Sequence, residues 1–203
     1  IYELDPYANV EPHSAGISEA NIGEFYTRGG ALSLVFDEID DFKMKVFMRL
    51  EAKARAIPLV MLTNLGDSIL IDIERYDTET DTRPFLGVVD DIVEKITKKQ
   101  TISHADIVRF SAALIGVEHV PTRALESLLE MGRTLVGRPQ LYSTTAISGG
   151  LASFIYRRIV LGNGPRSGRY HVRFSELIGG AASEFSESEH RSQLIRKLES
   201  IPS

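Results

Sequence analysis

The sequence predicts an α/β fold, and three observations carry that prediction. Apolar runs of strand length occur at residues 31–36, 59–62 and 69–73. Such continuous runs suit strands covered on both faces. Between the first two lies an amphipathic helix pattern over 42–56. Phe42, Val46 and Leu50 share one stripe, and Lys43, Arg49 and Lys53 the other side. Four acids, Asp37, Glu38, Asp40 and Asp41, fall between the first strand and that helix. Open α/β sheets bind ligands there, outside the carboxyl ends of their strands. Packing alone does not call for four mutually repelling carboxylates. They suit a hard cation such as Mg2+ and, through it, a phosphate.

Composition narrows the function classes. The chain has 203 residues, is 43% hydrophobic and carries a net charge of -5. That supports a sizeable core and argues against nucleic acid as the main partner, since phosphate backbones need a basic surface. There is no cysteine, so a disulfide framework, a thiolate zinc site and a cysteine nucleophile are excluded for these residues. Zinc is not expected. Cysteine absence fits a reducing, cytoplasmic setting. No run approaches the roughly 18 apolar residues of a membrane helix, so no membrane partner is expected. The first residue is Ile1, not Met, and the chain is expected to be a piece of a longer protein.

Taken in order, Asp5-Pro6 stops an initial helix end, and residues 8–12 are expected to be extended. Ser18 is placed as the N-cap of a helix ending near Gly29-Gly30. The strand over 31–36 and the helix over 42–56 follow, with Asp40 or Asp41 as cap. Pro58 leads into the strand at 59–62, Asn64 to Asp67 turn, and 69–73 is a strand again. This alternation predicts a mostly parallel sheet with helices on its faces. Residues 75–84 are a Thr- and acid-rich loop, and 75–142 as a whole form a helical insertion. Its helices carry Ile92 and Ile96, then Ile107, Phe110 and Leu114 behind the cap Ser103, then Leu125, Leu128 and Leu135 up to Arg138-Pro139. Residues 144–161 are small and apolar on nearly every side and predict a buried helix. Tyr170 to Phe174 alternate like a half-exposed strand, and the tail over 178–203 is polar and helical, with Phe185, Leu194 and Leu198 as its sparse apolar positions.

Four stretches together resemble the C-terminal portion of the ThiF/MoeB-type adenylyltransferases, relatives of the ubiquitin-activating enzymes. Leu4-Asp5-Pro6-Tyr7-Ala8-Asn9-Val10 resembles the family's N-P-x-hydrophobic entry to its third strand. The segment from Leu34 to Lys45 resembles D-x-x-D-N-x-x-x-R, and Ile57-Pro58-Leu59-Val60-Met61 the proline-led strand after it. Ala146-Ile147-Ser148-Gly149-Gly150-Leu151-Ala152, running to Leu161-Gly162, resembles the late glycine-containing helix, and Gly168 to Val172 its returning strand. The similarity covers most of 1–177, divided as 1–74, 75–142 and 143–177. It is nearest to bacterial ThiF-like proteins sometimes joined to nitroreductase-like domains.

The resemblance implies the later half of a Rossmann-like sheet, a helical region and a returning strand. It implies ATP and Mg2+ as cofactors and adenylation of a carboxylate, either a ubiquitin-like protein's C-terminus or a small acid. It also implies a homodimer and a fused or partner nitroreductase-like domain. Asp40 inherits the Mg2+-ATP role, with Asp37 as the strand-end acid beside it. Asp41 stands where the family has Asn, and Lys45 where it has Arg. Lys keeps the charge without the planar fork. Asp41 also reads as the helix cap, and Lys45 as an i, i+4 partner of Asp41. The family's glycine-rich phosphate loop and its sulfur-transfer cysteines are missing from these residues. The alternative reading is therefore a non-catalytic ThiF-like module for dimerisation or docking. The five histidines are scattered with no helical pairing, which argues against a histidine metal site.

Overall fold

A computed structural model describes residues 1–179 and 188–199. Its centre is a four-stranded mixed sheet in the order β1 (Val35–Phe36), β2 (Leu59–Leu65), β3 (Ser68–Glu74) and β4 (Gly168–Arg173). β1 and β2 are parallel and joined by α2 (Phe42–Ala54), a βαβ unit. The pairs β2–β3 and β3–β4 are antiparallel. The class is thus α/β, but the expected mostly parallel sheet is corrected to a mixed one. Gly66 and Asp67 are the cause. Gly66 has φ 62, and this two-residue loop joins Leu65 to its cross-strand partner Ser68. So short a connection permits only antiparallel pairing.

Alternation along the strands sets the layers. Val60 and Leu62 of β2, with Ile69, Ile71 and Ile73 of β3, face Ile155 and Ile159 of α6 (Tyr142–Val160). Met61 faces the other way, among Val46 of α2, Ile92 and Ile96 of α3 (Asp90–Thr97), and Phe110 and Leu114 of α4 (His104–Ile115). Helices therefore cover both faces, as the apolar runs require. Leu65 and Leu70 pack with Leu125 of α5 (Thr122–Glu130) and Leu194 of α8 (Glu189–Glu199). Arg169 holds β4 in register through a two-pronged contact with its cross-strand partner Asp72, at 2.7 Å for each nitrogen. Asp72 is fully buried, and this paired charge satisfies it.

Several expectations are corrected. Residues 8–12 form no strand among the described residues, because no neighbouring strand offers them a ladder. Only Val35 and Phe36 of the run over 31–36 pair. β2 begins just after Pro58, which has no N–H to donate. Phe36 is 37% exposed, so the strand is not covered on both faces. α1 is shorter than expected (Ile22–Thr27), with Asn21 and not Ser18 at its N-cap. α5 stops at Glu130, where Met131 turns extended, and does not reach Arg138. α6 is not buried all round. Thr144, Ser148, Ile155 and Ile159 are its buried stripe, while Ile147, Phe154 and Tyr156 face out. A helix lying on one face of a sheet buries one stripe. The short helix α7 (Phe174–Leu177) follows β4. Phe185, expected in the tail helix, lies outside the described residues.

Candidate functional site

The carboxyl ends of the two parallel strands open onto a cleft of about 410 Å³. Its walls are the β1–α2 loop, the first turns of α2, residues 61–64 of β2 and one side of α4. Asp37, Asp40 and Lys45 line it, with Glu38 between them. Asp41 sits behind it as the N-cap of α2, accepting a hydrogen bond from the Met44 N–H at 2.8 Å. The cap ends the strand-to-helix loop at a fixed point and so sets where the other acids stand.

Asp37 is fully enclosed. Its Oδ1 accepts from Lys45 Nζ at 3.1 Å and from the Ile39 N–H at 3.1 Å. Its Oδ2 accepts from Arg49 Nη1 at 2.5 Å. Lys45 thus turns to Asp37, two helical turns of sequence away, and not to Asp41, a correction to the i, i+4 alternative. Arg49 is fully buried and also lies 2.8 Å from Glu74 Oε2 through Nε, a charge contact without hydrogen-bond alignment. Its guanidinium stacks 3.8 Å over the ring of Phe85. Glu74 accepts further hydrogen bonds from the Phe85 N–H at 2.6 Å and from the Tyr76 hydroxyl at 2.8 Å. Burial pushes the Glu74 carboxyl up, opposed by Arg49, Tyr76 and the Phe85 N–H. The same burial, with Glu74 beside it, holds the Tyr76 hydroxyl well above its ordinary value.

Asp40 is different in kind. It is exposed on the cleft's lip and makes no hydrogen bond or ion pair among the described residues. Glu38 stands next to it. Burial, then the Asp37 charge, pushes the Glu38 carboxyl up. So of the four acids, Asp37 and Asp41 are engaged by the fold, Glu38 is held in part by the Leu62 N–H with Lys45 nearby, and Asp40 has no partner among the described residues. Among the described residues, no three His, Asp or Glu side chains converge to hold a metal. Asp40, with Glu38 beside it, suits Mg2+, which keeps its waters and takes substrate phosphates as ligands, better than a closed protein cage does.

Five polar cleft residues escaped the sequence analysis as site members: Thr63, Asn64, Ser111, Arg138 and Gln140. Arg138 stood out only as a cation near a helix end. Its place on the cleft comes from residues 131–141 folding back, which no local pattern announced. The structure also stacks His119 against His171, with ring centroids 3.7 Å apart. They are far apart in sequence: His171 lies on β4 and His119 in the turn after α4, and only tertiary packing brings them together. No helix among the described residues is long and apolar enough to cross a membrane.

Comparison with known proteins adds one relative. No family profile matches the chain, and no solved structure matches it. It is 33% identical over 182 residues to an uncharacterized protein of Mycobacterium tuberculosis, a match covering 88% of this chain. The chain spans 24% of the length of that relative.

Proposed function

We propose that this chain supplies one wall of an ATP site in a ThiF/MoeB-type adenylyltransferase. In the reaction a carboxylate oxygen attacks the α-phosphorus of ATP. The new O–P bond replaces the bond to the β-phosphate, giving an acyl-adenylate and pyrophosphate. The observation that carries this reading is the place of Asp40. It is an unpaired carboxylate on a cleft beyond the carboxyl ends of a parallel strand pair. The β1–α2–β2 unit also supports it, being a parallel βαβ unit of the kind such sheets are built from. The outer edge of β1 carries no strand among the described residues, and further parallel strands of the whole protein would add there.

Asp40, with Glu38 beside it, would hold Mg2+, which neutralises the triphosphate when bound. Asp37, Lys45 and Arg49 keep the loop that carries Asp40 in place, and Asp41 fixes its end. The test is calorimetry of Mg2+-ATP on the full-length protein. Wild type should bind, and Asp40→Ala should weaken binding by roughly tenfold or more, an interaction of at least about 1.4 kcal/mol. No binding by wild type, or equal binding by the variant, overturns the reading.

A second reading is favoured by the outer face of α6. Phe154 and Tyr156 are 50% and 44% exposed there, and Gly149 and Gly150 have open space above them. On this reading the chain is a dimerisation or docking module, and the face is where a second copy sits in a homodimer. A fused or partner nitroreductase-like domain belongs to either reading. The length of the mycobacterial relative beyond the matched part leaves room for one.

A further inference from the structure

We infer that the acid to be activated is a small molecule with an apolar body, and that it binds in a second cavity next to the acidic cleft, with its carboxylate on Arg138. The inference rests on the adenylation reading and names its substrate class. The second cavity has a volume of about 280 Å³. Three residues, Asn64, Ile115 and Arg138, line both spaces. A molecule in one therefore meets whatever occupies the other across that shared wall.

The two cavities differ in chemistry. The cleft is acidic: Asp37, Glu38 and Asp40 line it against Lys45 and Arg138, and Lys45 is committed to Asp37. The second cavity is walled by Leu65 and Val120, and by Ala124 and Leu128 of α5. Its charged residues are Arg123, Arg138 and Asp67, an excess of one positive charge. A metal-bound nucleotide suits the acidic side, and a carboxylate suits the positive one. Arg138 is exposed and has no hydrogen bond or ion pair among the described residues. A guanidinium holds a carboxylate through two parallel hydrogen bonds, and no side chain among the described residues takes this one. Standing on the shared wall, it would present the carboxylate toward the cleft while the apolar body stays among the leucines. Burial of that body supplies the affinity. The volume lies just below the usual range of ligand sites, about 300–1,000 Å³, which favours a compact acid over the tail of a folded protein.

Fluorine NMR on the full-length protein tests this with para-fluorophenylacetate as probe and its primary amide as the neutral twin. No nucleotide is added. The acid should bind, and the amide roughly tenfold more weakly. Arg138→Gln should lower acid affinity to that of the amide and leave the amide unchanged. Ala124→Trp, which fills the cavity, should abolish binding of both. Arg138 is on the surface, so its variant reports even if Ala124→Trp does not fold. Equal binding of acid and amide overturns the inference, as does wild-type acid affinity in Arg138→Gln. Binding of a peptide ending in Gly-Gly in place of the small acid overturns it too. Because no ATP is present, failure here leaves the Mg2+-ATP titration standing. Failure of that titration leaves an acid-binding cavity without adenylation.

Discussion

At the scale of the residue, Arg49 joins the fold to the site. It bridges Asp37 at the end of β1 and Glu74 at the end of β3, with no exposure of its own. Removing it leaves Glu74 buried without a cation and Asp37 with Lys45 alone. Arg49→Ala should lower the unfolding free energy by about 3–5 kcal/mol, read from urea titration. Arg49→Lys should not restore it, since a single ammonium cannot reach both acids and stack on Phe85 as well. An unchanged denaturation midpoint in Arg49→Ala would show that the cluster carries no stability. Asp41 makes the complementary case. Asp41→Ala should cost about 1 kcal/mol of stability through the lost cap and leave Mg2+-ATP affinity near wild type, the reverse of Asp40→Ala. Two adjacent acids of one type thus separate by measurement into a structural and a binding group.

At the scale of the element, α2 and α6 show how differently apolar pattern translates into burial. The stripe of α2 is covered by α3, α4 and the sheet. α6 has only the sheet beneath it, and its N-terminus is tied to the hairpin by the Thr144 hydroxyl donating to the Gly66 carbonyl at 2.6 Å. Its outer face carries exposed Ile147, Phe154 and Tyr156 with no cover among the described residues. Phe154→Glu on that face should leave the unfolding midpoint nearly unchanged. In the full-length protein it should shift the mass measured by light scattering from dimer toward monomer. A wild type that is monomeric, or a variant that stays dimeric, removes α6 from the subunit contact. At the same scale, the Ser103 cap of α4 is an element that sequence alone foretold, and the structure completes it as a capping box. The Ser103 hydroxyl accepts from the Asp106 N–H, and the Asp106 carboxylate accepts from the Ser103 N–H. Lys95, then Ser103, hold the Asp106 carboxyl well below the usual carboxylate range.

At the scale of the whole molecule, the β3–β4 pairing brings together charges that lie far apart in the chain. His171 sits against His119, with Arg173 and Arg169 nearby and Asp72 as the opposing charge. Partial burial, then His119 and the two arginines, pushes its pKa down to about 4 from an ordinary 6.5. Between those values the unfolded chain binds the proton and the folded chain does not. Stability therefore falls as pH drops from 6.5 toward 4 and loses nothing further from this group below that. His171→Gln should flatten that part of the stability–pH curve, measured by urea unfolding at a series of pH values. A curve of unchanged slope would remove His171 as a source of acid sensitivity.

The sequence by itself determined the elements whose signals are local. The apolar runs at β2 and β3, the stripe of α2, the Gly66 turn and the Ser103 cap depend on neighbours within a few residues. The cluster of acids at the end of β1 was legible for the same reason. Which of those acids is free was not legible, because Asp37 is satisfied by Arg49 and Lys45 only once α2 has folded against the sheet. Glu74, Phe85 and Arg138 reach their places through contacts between distant segments, which leave no periodicity to read. Tertiary structure alone decided that one face of α6 is bare among the described residues and that the hairpin makes the sheet mixed. It also set the two cavities on either side of one arginine. Packing distributes burial among elements that compete for the same surface, and no single stretch of sequence contains that competition.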